Sequence, residues 1–138
     1  MTRRSRLVGG VLLACLLGGC GGKSRDAARA ATDKFRARCF LGSYAEIYQQ
    51  SEPEFRASAT EEQFEKMMHT LDRRLGRFLS GAEAGWRVNL GTGGKTVFLG
   101  YKSDFEKGSA NEEFIWRVKD GAPSLVGYHI NSPLLLAD

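Results

Sequence analysis

Residues 112–131 read Glu-Glu-Phe-Ile-Trp-Arg-Val-Lys-Asp-Gly-Ala-Pro-Ser-Leu-Val-Gly-Tyr-His-Ile-Asn. Asp120-Gly121 is the strongest short hairpin signal in the chain, and apolar residues alternate with polar ones on both sides of it. The pattern predicts a strand over 112–119 and another over 124–131, closed by Pro133. Upstream, Gly91-Thr92-Gly93-Gly94 reads as a loop between a strand containing Trp86, Val88 and Leu90 and a strand over 96–105. Further back the period becomes helical. Ala28, Ala31, Phe35 and Cys39 predict a helix over 24–40 ended by Gly42, and Ser43-Tyr44-Ala45-Glu46 reads as a capping box for a short second helix. Pro53 falls in a connecting loop. Thr60-Glu61-Glu62-Gln63 is another capping box, opening a third helix whose apolar face is Phe64, Met67, Met68, Leu71, Leu75 and Phe78, with Gly76 as C-cap. Three helices followed by a four-stranded antiparallel meander make an α+β domain, because packing the helices on one sheet face buries both apolar surfaces.

Side-chain alternation then assigns the faces. Val97, Leu99 and Tyr101, then Phe114, Trp116 and Val118, then Val126, Tyr128 and Ile130 form the layer expected to face the helices. Phe98, Gly100, Lys102, Asp104, Glu113, Ile115, Arg117, Leu125, Gly127 and His129 are expected to point outward. A face meant for water alone would not carry Phe98, Ile115 and Leu125 among its charges. It is therefore expected to be an interaction surface for a second copy or another protein.

The chain has 138 residues and a formal net charge of +4. Arg3, Arg4 and Arg6 lie in the first nineteen residues with no acid beside them. Without that segment 17 basic residues face 16 acidic ones, a balance that offers no field for nucleic acid. The apolar run from Leu7 to Gly19 is too short to span a bilayer, and with its basic start and small terminal residues it has the form of a secretory signal. Arg25, Arg29 and Arg36 fall within about 40° on the first helix and form a basic face expected near the membrane. Gly94-Lys95-Thr96 is no phosphate loop: Asn89 occupies the position of the required glycine, and a strand follows. With His69 and His129 the only histidines, no metal site and no cofactor are expected.

Leu17-Gly18-Gly19-Cys20 resembles the lipobox of bacterial lipoproteins. The resemblance implies cleavage before Cys20, acylation of its sulfur and amine, and a short tether over 20–26 leading into a domain at 27–138. Gly21, in place of aspartate, implies by the same resemblance an outer-membrane, periplasm-facing location. Cys15 would leave with the signal, so Cys39 remains the only thiol and no internal disulfide forms. Tyr44-Ala45-Glu46-Ile47-Tyr48, Glu113, Asp120-Gly121 and the stretch Gly127-Tyr128-His129-Ile130-Asn131-Ser132 resemble small lipoproteins with a nuclear-transport-factor-like, cystatin-like domain. That family implies a cone of curved sheet around a long helix. That family gives no function, but with Asp104, Glu113 and His129 expected on the outward face the favoured reading is a non-catalytic, lipid-anchored domain that binds a protein partner or a small apolar ligand. An acid–base enzyme of the isomerase or dehydratase type, drawing on Asp104, Glu113 or His129, and a purely structural envelope protein are the alternatives.

Overall fold

The computed structural model of the protein describes residues 20–136. Among them the elements run α1 (Cys20–Phe40), α2 (Tyr44–Gln49), α3 (Pro53–Ser58), α4 (Glu61–Leu75), β1 (Phe78–Gly91), β2 (Gly94–Phe105), β3 (Gly108–Lys119), β4 (Ala122–Asn131) and α5 (Pro133–Leu136). The α+β class and the antiparallel order β1-β2-β3-β4 agree with the sequence reading. Two-residue turns close each hairpin. In the last one Asp120 has φ 50° and Gly121 φ 77°, the pair of left-handed conformations that a type I′ turn requires. The signal segment over 1–19, with Cys15, lies outside the described residues.

Several boundaries differ from expectation, each for a local reason. The stretch over 20–26 is helical rather than a tether. Ser24 is buried, and Arg25 is held by Glu83 of β1, so contacts with the domain draw this segment into α1. Pro53 is not in a loop but at the first turn of α3, where its missing N–H costs nothing. Ser43 makes no side-chain cap, whereas Thr60 and Gln63 form the reciprocal capping box. The helix expected to reach Phe78 stops at Leu75, because Gly76 turns the chain with φ 75°. Phe78 instead opens β1. Phe64, Met68, Leu71 and Leu75 are buried as expected, while Met67 is exposed.

The inner face of the sheet carries Val97, Leu99, Tyr101, Phe114, Trp116 and Val118, all buried. Across this face lies α1. Phe35 meets the edge of Phe114 at 5.1 Å between centroids, and the buried Trp116 Nε1 donates to Thr32 Oγ1 at 3.0 Å. Thr32 Oγ1 donates in turn to the Ala28 carbonyl, so the indole's polar group is satisfied through α1. Burying a side chain such as Phe114 completely contributes about 1.5–3 kcal/mol.

Simple alternation reverses two neighbouring positions of β4, Leu125 and Val126. The β3–β4 register jumps from Ile115↔Gly127 to Trp116↔Leu125, leaving Val126 without a partner. This is a β-bulge, and it reverses the phase of β4 on one side. Leu125 is buried against the core rather than outward, and Val126 does not take the inner place expected of it. Tyr128 and Ile130, beyond the bulge, pack toward the core as predicted.

Candidate functional site

At the C-terminal end of α1 a cavity of about 580 Å³ opens between α1, the loop to α2, α4 and the sheet. Its apolar lining includes Phe35, Tyr44, Met68, Leu71, Phe105 and Ile130. Phe40 and Leu41 contribute to it while 67% and 74% exposed, so large apolar groups stand in water at its rim. The volume is that of a small-molecule site.

A polar cluster sits in the inner wall. Glu112 belongs to the inward set with Ala110, Phe114 and Trp116 and is only 5% exposed. Ser103 Oγ donates to its Oε1 at 2.6 Å, and Tyr128 Oη donates to its Oε2 at 2.6 Å. Arg36 Nη2 lies 3.3 Å from Oε1 as the counter-ion. The guanidinium carbon of Arg36 stands 4.0 Å from the Phe78 ring centroid and 4.6 Å from that of Tyr101. Cation–π contact thus replaces much of the lost hydration. Arg36 Nε is buried with no hydrogen-bond partner.

These surroundings fix the protonation of the neighbouring acids. Tyr128 is pushed well above the ordinary phenol value, first by burial and then by the Glu112 carboxylate. Burial, with Glu112 adding to it, pushes the Cys39 thiol up to about 12. Burial also raises Tyr44. All three remain protonated at neutral pH. Formal charge in the lining balances, since Arg36 and Arg77 stand against Glu112 and Asp72.

The residues singled out from the sequence are distributed differently. Of the basic trio, Arg25 and Arg29 do not form a free solvated face but converge on Glu83. Arg25 Nη2 lies 2.5 Å from Oε1, and Arg29 Nε lies 2.6 Å from Oε2. The bond from Arg29 is the main reason the Glu83 carboxyl is held below the usual carboxylate range. Arg36 is turned inward to Glu112, away from any surface role. Cys20 begins α1.

On the outer sheet face the register joins Phe98 to Ile115, Gly100 to Glu113 and Glu113 to His129. Lys102, Asp104, Glu113 and His129 are exposed there, while Phe98, Ile115 and Arg117 are half-buried. Arg87 covers Phe98 at 3.9 Å from its ring centroid, and Arg117 Nη1 reaches Glu54 of α3 at 2.7 Å. Leu125 does not belong to this face. Among the described residues no group of three or more His, Cys, Asp or Glu side chains is placed to hold a metal ion, and no helix is long and apolar enough to cross a membrane. Comparison of the chain with protein-family models and with curated proteins returned no match.

Proposed function

We propose that the protein is a non-catalytic, membrane-anchored binding domain, attached through acylated Cys20, that takes a small, largely apolar and uncharged molecule into the cavity at the C-terminal end of α1. The observation that carries this reading is a cavity of about 580 Å³ with mostly apolar walls and one convergent polar cluster, Arg36, Glu112 and Tyr128. The balanced charge of the lining favours an uncharged ligand. Arg36 Nε, a donor without a partner, favours one that carries an acceptor.

Catalysis has less support. Both Glu112 oxygens already accept hydrogen bonds, and Tyr128 is held in its neutral form, so neither group offers a ready base. Asp104, Glu113 and His129 point away from the cavity on the outer face. That face keeps a weaker claim as a protein-docking or dimer surface, because Arg87 and Arg117 already engage parts of it. The lipobox ahead of Cys20 supports anchoring, and Gly21 supports the outer membrane facing the periplasm. The cone-shaped, nuclear-transport-factor-like fold is supported by the long α1 lying across an antiparallel sheet.

An environment-sensitive apolar dye tests the binding site. The acylated protein should bind one dye molecule at micromolar concentration. Ala37→Trp, a change at an exposed position in the lining, should weaken that binding about tenfold or more. Equal dye binding by both proteins, or none by either, overturns the cavity reading. Mass spectrometry of membrane-extracted protein, with Cys20→Ala as control, decides the anchoring separately.

A further inference from the structure

We propose that the β1–β2 hairpin end of the domain lies in the headgroup interface of the bilayer that holds Cys20, with Trp86 and Leu90 as its apolar anchors. The inference rests on the acylation of Cys20 read above and extends it from a point of attachment to a docking surface. Three observations place that surface. First, α1 begins at Cys20, so no flexible linker separates the acylated residue from the folded domain. Secondly, α1 runs antiparallel to β1: Arg36 meets Phe78, Arg29 meets Glu83, and Arg25 stacks on Trp86 at 4.4 Å. Continuing from Arg25 to Cys20, a rise of about 7–8 Å, runs in the direction in which β1 goes from Trp86 to Leu90. Thirdly, the groups at that end suit an interface. Trp86 is 50% exposed and Leu90 80% exposed, although both are large and apolar.

Tryptophan is favoured at the boundary between headgroups and acyl chains, where its ring is buried and its N–H stays wet. Basic residues lie at the same end of the domain, Lys95 on the same sheet face as Leu90 and Lys119 on the opposite one. Lys95 is the register partner of Leu90, Val118 is the partner of Lys95 and is followed by Lys119, and Lys23 lies one turn from Cys20. These cations complement lipid phosphates. Anchoring at Cys20 would bring this end of the domain to the membrane.

The test uses the mature acylated chain in vesicles of phosphatidylethanolamine and phosphatidylglycerol with brominated acyl chains. Subtracting the emission of Trp86→Phe isolates Trp86 from the buried Trp116. The expected result is quenching of the Trp86 component by about twofold or more, an unquenched Trp116, and loss of the Trp86 effect in Leu90→Glu. A Trp86 component left unquenched on protein whose acyl mass is present overturns the docking while the anchoring survives. Protein without acyl mass overturns both. Shielding of Trp86 that grows with protein concentration in the absence of vesicles assigns the patch to a second copy and also overturns the proposal.

Discussion

Towards its N-terminal end α1 sets Arg25 and Arg29 against Glu83; towards its C-terminal end it sets Arg36 against Glu112. The first cluster is at the edge of the sheet, with the arginine side chains 26% and 40% exposed around a Glu83 that is 16% exposed, although Arg25 Nε is itself buried without a hydrogen-bond partner. The second is enclosed by aromatic rings, with side chains 13% and 3% exposed. Removing Glu83 at the edge leaves arginines whose exposed parts water can still hydrate. Removing a partner inside leaves a charge with nowhere to go. The same pair of residue types is thus a surface clasp at one end of the helix and a committed part of the interior at the other. Apolar residues of the same volume commonly replace a buried ion pair at little cost, so stability alone does not account for this one.

The sharpest way to break this contrast is Glu112→Ala. It should cost about 3–5 kcal/mol, read from the urea midpoint, because Arg36 is left buried and unpaired. The double change Arg36→Met with Glu112→Leu should recover most of that loss yet weaken any ligand that uses the polar wall. If the single change costs less than about 1 kcal/mol, the cluster is wetter than its burial implies.

Cys39 probes the same interior chemically. With its thiol pushed up to about 12 against 9.0 for an exposed group, its thiolate fraction at pH 8 is lower by roughly a thousandfold. Labelling of Cys39 in the native protein should be slower than in the urea-unfolded chain by about tenfold or more, because the greater nucleophilicity of a high-pKa thiolate offsets only part of that loss. Labelling at the unfolded rate would place the sulfur in open water.

Midway along α1, Trp116→Phe removes the bond to Thr32 and should cost about 1–3 kcal/mol. An intermediate value would fit a neutral hydrogen bond that is as deeply buried as the Arg36–Glu112 pair but carries no charge.

The smallest effect belongs to Glu83→Gln. Glu83 is held below the usual carboxylate range in the folded state, so its ionised form stabilises the fold above that range, and the benefit disappears as pH falls through the lowered value. The variant should be slightly less stable than wild type at pH 7 and equal to it in strong acid. A gap that persists in acid would show that packing, not charge, joins β1 to α1.

Much of this architecture is written in local patterns. Asp120-Gly121 announces its hairpin, Thr60 and Gln63 announce their helix, and the alternation of Val97, Leu99 and Tyr101 marks the inner face. Three features escaped. The bulge at Val126 is a pairing event between strands, and alternation along a single strand assumes it away. Gly127 was its one trace, since a Cβ there would sit 3.0 Å from Ile115 Cδ1. Glu112 shares the parity of Phe114 and Trp116, so its inward direction is legible in the alternation, whereas its partners Ser103, Tyr128 and Arg36 are brought to it only by the fold. Arg36 follows Ala28 and Thr32 at four-residue intervals along the buried row of α1. Its charge suggested solvent, and the neutralising carboxylate lies 76 positions away in the chain.

The continuous α1 also has a mechanical consequence. A flexible linker would filter out whatever happens at the attachment point, because slack chain carries no torque. An unbroken helix is a lever. Arg36 stands sixteen positions after Cys20, a rigid arm of about 24 Å. Under the anchoring proposed above, the domain would follow the posture of that first turn as one body, because Arg25 and Arg29 clasp α1 to Glu83 of β1 and Phe35 packs it on Phe114.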